Sequence, residues 1–473
     1  MGDLSLFTPE AIVLLGAFVL FAMLVFGAGR TLLWWTSMVF GVGALVASVL
    51  WLDARGEPFF EGIYIIDGFS QLLKVAILLG LTLTLLANRQ CGSVQAHARA
   101  DLPFFLFLGT VGLMMLVSAT ELTTIYVSLE LSAYALYIMA ALHQQQRAGS
   151  EAAIKYVLAG SAASAVSLYG ITLIYGTART TYLAEIMANS ALYSEPLFLV
   201  GVVFLFAGFL FKLAVFPFHA WAPDAYEGAP HQAVTFIGTA SKIGAVGIII
   251  RALLLAPDSK LIADGILCLC VLSMTVGNLA ALVQRDLKRL LAYSTVAHAG
   301  YLLIGLVGIS ELGVTSTVFY AIVYLIIAFG PFLVICALGE DGSNPQRDDL
   351  SGLYKRSPFL ALVLLVGLFG LAGIPPTPGF SGKWFLFAAA LKEGQFGLVL
   401  VAAVNATISL YYYLILVKQA YLAEPGERGA LTLSPAYRIA GAITVLLMIG
   451  IGFYPAPLWD LAVDAARAVL FNL

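Results

Sequence analysis

Apolar runs of about twenty residues recur from one end of the chain to the other, and they constrain its fold more than any other feature. A helix needs about 20 apolar residues to cross the hydrocarbon core of a bilayer. Hydrophobic residues make up 61% of the sequence and charged residues only 11%, against roughly 25% charge in soluble proteins. Lipid must therefore be the solvent for most of this chain, and helices are the structures that satisfy the backbone of so many separate spans.

Fourteen runs qualify as spans, and together they predict an all-α integral membrane protein without an independent soluble domain. The twelfth run is too long for one straight helix and contains GIPPTPGF, so we expect it to be broken in the middle. The predicted spans are approximately 8–26, 31–52, 68–87, 102–119, 121–142, 152–177, 197–218, 232–254, 261–284, 290–309, 312–338, 358–391, 396–422 and 435–455.

The N-terminus and the cysteines favour neither a cleaved leader nor metal chemistry. A cleavable signal begins with positive charge, whereas no Lys or Arg precedes the first apolar run, so we expect a retained first span. The cysteines lack the spacing of a metal or haem site, and we expect them to pack in apolar surroundings. The sequence thus predicts no cofactor and no metal in this chain, and its net charge of −3 does not indicate a nucleic-acid partner. The four cysteines are Cys91, Cys268, Cys270 and Cys336.

Basic residues in the predicted loops are divided unevenly between the two sides of the membrane. Loops on one side carry twelve Lys and Arg, and loops on the other side carry six. Because positive loops face the cytoplasm, this ratio places both termini on the outer, positive side. The twelve are Arg30, Arg89, Arg99, Arg147, Arg285, Lys288, Arg289, Arg347, Lys355, Arg356, Arg428 and Arg438, and the six are Arg55, Arg179, Arg251, Lys260, Lys392 and Arg467.

The other six basic residues fall inside predicted spans, and all of them are lysines: Lys74, Lys155, Lys212, Lys242, Lys383 and Lys418. A charge at mid-membrane costs about 2.5–3.5 kcal/mol on insertion scales, so six of them need a reason. Lysine can lose its proton when it is desolvated, whereas arginine in practice cannot. Apolar residues flank Lys212, Lys242 and Lys383 on both sides, which favours a function over snorkelling to the interface. Lys74 and Lys418 lie nearer to span ends, and either interpretation fits them.

Acidic and imidazole groups inside the predicted spans are few. Glu130 is the one acid squarely inside a span. A structural ion pair is the simpler interpretation of Glu130, but one carboxylate cannot neutralise three or more lysines. Unmatched lysines gain and lose protons easily, which is the chemistry of a relay. His298 lies among small and hydroxylated residues and is a second candidate for proton transfer. The alternative for His298 is a core histidine bonded to a backbone carbonyl.

Proline breaks accompany two of these lysines. Pro217 follows Lys212, and the prolines of GIPPTPGF precede Lys383. Because proline removes a helix donor, each break should expose backbone groups beside a lysine, as at the ion sites of transporters. The segment HAWAPDAYEGAPH carries two histidines and two acids between the seventh and eighth spans. Without tight ligand spacing, it indicates a solvated loop near a proton intake rather than a metal site.

The fifth-span glutamate, the lysines of the seventh and eighth spans and the segment GIPPTPGFSGKWFLF together resemble the proton-pumping antiporter-like subunits of respiratory complex I. The likeness runs from about residue 100 to about residue 425. Within that family the lysine of the twelfth span is similar to subunit N, whereas subunit M has a glutamate there. The resemblance implies about fourteen transmembrane helices in two inverted five-helix repeats, helices 4–8 and 9–13, with broken helices 7 and 12.

The resemblance also implies a division of the chain and a set of functional residues. The division is an N-terminal three-helix segment (1–100), a first repeat (101–255), a second repeat (256–425) and a C-terminal helix (426–473). By matching position, the implied proton relay consists of Glu130, Lys155, Lys212, Lys242, His298 and Lys383. None of these positions departs from the family pattern.

The resemblance finally implies a translocase subunit of NADH:quinone oxidoreductase in a bacterial inner membrane. Its expected partners are other membrane subunits, including antiporter-like homologues, and the lipid bilayer. Redox chemistry in partner subunits of the complex would drive protons from Lys212 and Lys242 through His298 to Lys383, with Glu130 as the switch. Subunits of a multi-subunit cation/proton antiporter or of a membrane-bound hydrogenase share these residues and remain alternatives. A non-transporting scaffold, with its lysines on lateral surfaces, is a further one.

Overall fold

The computed structural model describes residues 4–52, 58–89, 100–142, 147–257 and 259–471. Helices dominate these residues, and one short antiparallel hairpin, β1 (Pro58–Phe59) with β2 (Tyr64–Ile65), is the sheet structure among them. The predicted all-α fold is thereby confirmed. Cys91, Arg55 and Arg99, which entered the predictions above, lie outside the described residues.

The first half of the chain folds into helices α1 to α11, with short 3₁₀ turns at Leu4–Phe7, Phe60–Gly62 and Ser190–Ser194. In order these helices are α1 (Thr8–Val25), α2 (Arg30–Leu50), α3 (Gly68–Ala87), α4 (Asp101–Ser118), α5 (Leu122–Ala141), α6 (Arg147–Ala178), α7 (Leu183–Ala188), α8 (Pro196–Leu213), α9 (Trp221–Gly228), α10 (His231–Gly238) and α11 (Ala240–Leu253).

The second half continues with helices α12 to α20 and one 3₁₀ turn at Arg347–Leu350. These helices are α12 (Lys260–Leu282), α13 (Leu287–Ile304), α14 (Glu311–Leu338), α15 (Leu353–Arg356), α16 (Pro358–Ala372), α17 (Pro378–Lys392), α18 (Phe396–Leu422), α19 (Pro435–Phe453) and α20 (Ala456–Phe471). The C-terminal segment therefore carries two helices. Trp459 of α20 packs on Phe319 and Phe385, which joins α20 to α14 and α17.

Local capping explains where several helices begin. Asp67 and Ser70 form a capping box at the start of α3, where each side chain bonds the backbone N–H of the other. Asp286 caps α13 by accepting from the backbone N–H of Arg289 at 2.9 Å. Proline occupies the first turn of α1, α8, α16, α17 and α19, where its missing N–H breaks no helical hydrogen bond.

Twelve helical stretches in the described residues are long and apolar enough to cross a membrane. The predicted tenth span corresponds to α13, which is not among these twelve. The predicted twelfth span is the pair α16 and α17. The chain is a multi-pass membrane protein, whereas the count of fourteen spans, the inverted repeats and the four segment boundaries stay predictions.

Three predicted spans are broken in the structure. The breaks near Pro217, between α8 and α9, and within GIPPTPGF, between α16 and α17, are confirmed. The predicted span over 232–254 is present as His231–Leu253, and within it Thr239 leaves the helical conformation (φ −121°, ψ −85°) and separates α10 from α11. Phe332 packs so closely on Gly238 that a Cβ there would lie 2.8 Å from its ring. No proline lies within residues 231–253, and the close packing of Phe332 on Gly238 accompanies this break.

The bundle has an interior layer and a lateral layer. Helices α3, α10–α11 and α14 are almost entirely buried, whereas fewer than half of the span residues of α1, α2, α6, α12, α18 and α19 are buried. A helix that is apolar all round can face other helices on every side or face lipid. The interior helices are the ones that carry or surround the mid-span polar groups.

Candidate functional site

Four of the six lysines predicted inside spans are at most 6% exposed: Lys74, Lys212, Lys242 and Lys383. Lys155 instead lies on the surface of α6, where 49% of its side chain is exposed, and Lys418 is also exposed. The structure therefore places the three lysines with apolar neighbours in the interior, as their flanking residues suggested. It leaves Lys155 outside that buried group.

The Lys212 ammonium lies in the last turn of α8, opposite α5. Its Nζ donates to Ser132 Oγ at 2.7 Å. The Glu130 carboxylate instead accepts from the Ser164 hydroxyl of α6. Glu130 and Lys212 line one cavity of about 20 Å³, which has room for about one water molecule. The two charges thus share a cavity, but each is held by a serine rather than by the other.

The Lys242 ammonium is held by the end of a broken helix. Its Nζ donates to the backbone carbonyl of Lys212 at 2.9 Å. That carbonyl has no helical partner because α8 ends one residue later, at Leu213. The same ammonium lies 5.2 Å from the centre of the Trp221 ring, within the range of a cation–π contact. Lys242 is therefore stabilised by dipoles, and no acid pairs with it in the part of the chain that the structure describes.

Tyr324 of α14 connects the α10–α11 break to the centre of the bundle. Its hydroxyl lies 3.2 Å from the Gly238 carbonyl oxygen and 2.9 Å from Thr295 Oγ1. Its ring centre lies 5.2 Å from that of His298. Tyr324 is buried and lies between the α10–α11 break and His298.

His298 is held by hydroxyl groups on both sides of its ring. Nδ1 lies 2.7 Å from the Tyr320 hydroxyl and Nε2 lies 3.3 Å from the Tyr413 hydroxyl, which in turn contacts Ser294 Oγ at 2.5 Å. The alternative interpretation, a histidine bonded to a backbone carbonyl, does not describe this arrangement. Hydroxyl groups donate and accept, so they allow either ring nitrogen to carry a proton.

The Lys383 ammonium repeats the arrangement of Lys242 in the other half of the chain. Its Nζ donates to the carbonyls of Leu371 and Ala372 at 2.9 and 3.1 Å, at the end of α16. It also lies 4.7 Å from the centre of the Tyr301 ring. Gly373 ends this helix at φ +82°, and a Cβ there would approach Lys383 Cδ to 3.1 Å. Only glycine fits both the backbone conformation and the lysine side chain.

The two helix ends explain how Lys242 and Lys383 are kept in the interior without a paired acid among the described residues. The carboxyl end of a helix carries partial negative charge, which stabilises a cation. A neutral carbonyl can hold the ammonium, and it leaves no unpaired anion when the lysine gives up its proton. This confirms the prediction that the proline breaks expose backbone groups beside lysines, and it makes proton exchange chemically possible at each of them.

A solvent-facing cluster of charged side chains lies around α9. Arg289 Nη1 binds Asp224 and Glu227 at 2.7 Å each, and Lys155 Nζ binds Asp224 at 2.8 Å. Partial burial acts to raise the pKa of Asp224, but hydrogen bonds from Lys155 and Arg289 outweigh it and lower that pKa. His231, at the far end of the same loop, lies 3.1 Å from the Ser343 carbonyl oxygen. Asp224 and Glu227 therefore form ion pairs with Arg289 and Lys155 at the protein surface.

Several buried polar residues were missed by sequence reasoning. Arg251 was assigned to an outer loop but lies fully buried in α11 with Asp67, and Glu10 is buried in α1 beside Lys74. Glu130 is thus not the one acid inside a span, and the buried cations are not lysines alone. Lys288 was assigned to an inner loop but is buried, and it donates to the Ala229 carbonyl at 2.9 Å. The spacing of four between Tyr320 and Tyr324 was an available signal for one polar helix face.

Comparisons with known proteins agree with this geometry. Residues 119–409 match the family described as NADH:quinone oxidoreductase/Mrp antiporter, TM. The chain is 45% identical over 435 residues to NADH-quinone oxidoreductase subunit N 2 of Syntrophobacter fumaroxidans, and 91% of each chain is covered. A chain of respiratory complex I from Thermus thermophilus with bound aureothin matches with a TM-score of 0.84 and 31% identity, over 96% of this chain and 99% of that one. A chain of the Mrp complex from Dietzia matches with a TM-score of 0.90 over 99% and 98%, and at 20% identity it shows a common fold alone. These similarities confirm the resemblance drawn from the glutamate, lysine and proline motifs.

Proposed function

This chain belongs to the NADH:quinone oxidoreductase/Mrp antiporter family of multi-pass membrane proteins, and from that premise we propose that it translocates protons as a membrane subunit of an NADH:quinone oxidoreductase. The observation that carries this proposal is the buried row of Lys212, Lys242, His298 and Lys383, in which backbone carbonyls and hydroxyls hold the ionisable groups. A scaffold would place such lysines on lateral surfaces, and these are at most 6% exposed.

In this proposal protons are taken up on the inner side near Lys212 and Lys242 and released to the outer side from Lys383. Both termini face the outer side of a bacterial inner membrane. Tyr324 and Thr295 lead from the α10–α11 break to His298. Tyr320 and Tyr413 flank the imidazole on both sides. Hydroxyl groups and water can pass protons in either direction, so the direction of transfer must come from the lysine charges.

Glu130 supplies that direction by changing its partner. The structure holds the separated arrangement, with Glu130 on Ser164 and Lys212 on Ser132. Rotation of Glu130 across the shared cavity would form an ion pair, and two unit charges ~4 Å apart interact by about 4 kcal/mol at an effective dielectric constant of ~20. Moving one charge against a membrane potential costs about 2.3 kcal/mol per 100 mV. One change of partner thus matches the energy of one proton transfer against a potential of about 170 mV.

Lys155 has a different place in the proposal. Its ammonium is paired with Asp224 and with Glu151 at 2.8 Å on the surface of α6. We assign Lys155 to the surface cluster around α9, where it can pass protons between the inner solution and the buried row of Lys212, Lys242, His298 and Lys383. The driving energy comes from redox chemistry in partner subunits, and this chain performs the translocation step beside other membrane subunits, which include antiporter-like homologues.

The test is proton translocation by the assembled complex after reconstitution in vesicles. Lys212→Ala and Glu130→Ala should abolish the share of proton translocation that depends on this chain, while the assembled amount and the uncoupled NADH:quinone activity persist. Lys383→Arg should have the same effect, because arginine keeps its proton. Lys418→Ala is the matched control, since that lysine is exposed.

Normal pumping by both Lys212→Ala and Glu130→Ala would refute the proposal. Sodium-dependent transport by the native assembly, in place of quinone-linked pumping, would instead indicate an antiporter.

A further inference from the structure

A second group of buried charges lies outside the row, where α1, α3, α11 and the β-hairpin meet. It consists of two ion pairs, Glu10 with Lys74 and Asp67 with Arg251, and of Tyr64. All five side chains are less than a tenth exposed. None of them belongs to the proposed relay, so their presence needs a separate reason.

In the Asp67–Arg251 pair both carboxylate oxygens are hydrogen-bonded, although Nη1 of the arginine has no partner among the described residues. Arg251 Nη2 reaches both carboxylate oxygens of Asp67, at 3.1 and 2.8 Å, and Nε donates to the Val117 carbonyl at 3.0 Å. Asp67 also caps α3 through Ser70. Because arginine does not release its proton, this pair stays charged and ties α3 to α11.

The Glu10–Lys74 pair is bonded differently. Lys74 Nζ and the Tyr64 hydroxyl both lie 2.6 Å from the same oxygen, Glu10 Oε1. The other oxygen, Oε2, is buried and has no hydrogen-bond partner among the described residues. The lysine and the tyrosine therefore share Glu10 Oε1, whereas Oε2 of the same carboxylate has no partner among the described residues. A pair with a purely structural role is expected to satisfy both oxygens.

A cavity lies beside this pair. Glu10 and Tyr64 line a volume of about 320 Å³ together with apolar side chains, including Leu14, Met114 and Met115. A water molecule occupies about 30 Å³ of liquid volume, so the cavity has room for several. Leu14 is exposed on the lateral face of α1, so the cavity lies close to the surface of the bundle.

The depth of the pair follows from the packing of α3 on α11. A Cβ at Gly247 would lie 2.8 Å from Leu73 Cδ1, so Lys74 is level with the part of α11 that begins at Gly247. Gly247 is five residues beyond Lys242, which is about 7.5 Å along a helix, and Arg251 follows one turn later. The pair thus lies between the depth of Lys242 and the end of the membrane domain near the start of α3.

We propose that Glu10, Lys74 and Tyr64 form a second proton-exchange site, which connects the depth of Lys242 to the side of the membrane where α3 begins. In the exchange step a proton moves from Lys74 Nζ to Glu10 Oε1, and an ion pair becomes an amine and a carboxylic acid. The net charge of the pair is zero before and after, so no uncompensated charge is created in the membrane. Rotation of the carboxyl group exchanges its two oxygens, and the acid releases its proton toward the cavity while the amine takes up the next one, which restores the ion pair. This inference rests on the proposed function, because the row is the source of the protons.

Two reciprocal substitutions in the assembled, reconstituted complex separate exchange from a structural role. Lys74→Arg keeps the charge and the pairing but prevents release, so it should lower the protons translocated per electron pair as much as Lys212→Ala does. Arg251→Lys keeps the charge of the neighbouring pair and should leave that ratio unchanged. The uncoupled NADH:quinone activity and the assembled amount report on folding. Wild-type pumping by Lys74→Arg would overturn the proposal.

Infrared difference spectroscopy of the same complex tests the site without relying on pumping. Glu10→Gln combined with Lys74→Met removes both charges together and so leaves neither group unpaired. The wild-type complex should show a carbonyl-stretch band from a protonated carboxyl on acidification, and the double variant should lack it. Identical bands in the two proteins would overturn the proposal. A lost band together with normal pumping by Lys212→Ala would refute the relay while supporting this site.

Discussion

Ser132 carries the hydrogen bond that holds the Lys212 ammonium, and its removal gives a sharp test of the buried row. The Ser132 hydroxyl donates to the Leu129 carbonyl at 2.8 Å, which leaves its lone pairs to accept from Lys212 Nζ at 2.7 Å. Within the described chain this is the one hydrogen bond found for that ammonium. Ser132→Ala therefore leaves a buried cation without its acceptor.

The magnitude follows from the charge on the donor. A hydrogen bond to a charged group contributes about 1.5–3 kcal/mol. Because a tenfold change in an equilibrium takes about 1.4 kcal/mol, the ratio of protonated to neutral Lys212 should fall by about 10- to 150-fold. We expect proton translocation per electron pair to fall to the level of Lys212→Ala, with uncoupled quinone reduction unchanged. The assay is proton uptake or release by vesicles that contain the assembled complex.

Ser128→Ala is the matched control for this prediction. Ser128 lies one turn earlier on α5, is equally buried and donates to the Thr124 carbonyl of its own helix at 2.6 Å. Both substitutions remove one hydroxyl from the same helix, but only Ser132→Ala affects a lysine. Equal pumping by Ser132→Ala and the wild type would refute the reasoning. So would equal loss in both variants, since that result would point to the helix rather than to the ammonium.

Two further predictions concern the second half of the chain. Gly373→Ala and Gly394→Ala each put a side chain at positive φ, which costs about 1–2 kcal/mol of stability. Only the alanine at position 373 would contact Lys383, so only Gly373→Ala should reduce proton translocation. Equal proton translocation by the two variants would contradict this prediction. Tyr413→Phe removes a hydroxyl that lies 3.3 Å from the midline histidine, so it should slow proton translocation without loss of assembly. Tyr411→Phe, at an exposed position, should have no effect, and the same loss in both tyrosine variants would argue against a role for the buried hydroxyl.

The burial of lysines within the apolar runs was predictable, because it depends on the residues that flank each lysine in the sequence. Lys212, Lys242 and Lys383 stand among apolar residues that cannot lie outside the membrane domain, so their burial follows from the sequence around them. The prolines near Lys212 and Lys383 likewise break their own helices wherever those helices pack. Both predictions rest on neighbours in the chain and needed no knowledge of the bundle.

Charges near span ends were not predictable in this way. Arg251 and Lys74 lie where a long side chain could reach an interface, and only their partners on other helices decide that they do not. Lys155 shows the converse, since it lies within a predicted apolar span yet turns to the surface of α6, where it binds Asp224. Thr239 interrupts a helix although its neighbours in sequence would continue it.

Hydropathy and proline act over a few neighbouring residues, so a helical membrane protein with protonatable groups inside its apolar runs follows from the amino-acid sequence. Tertiary structure alone decided which groups meet. The separation of Glu130 from Lys212 by two serines and the placement of His298 between tyrosines depend on helices far apart in the chain. Hydrogen bonds act over about 3 Å, and only packing brings distant residues that close.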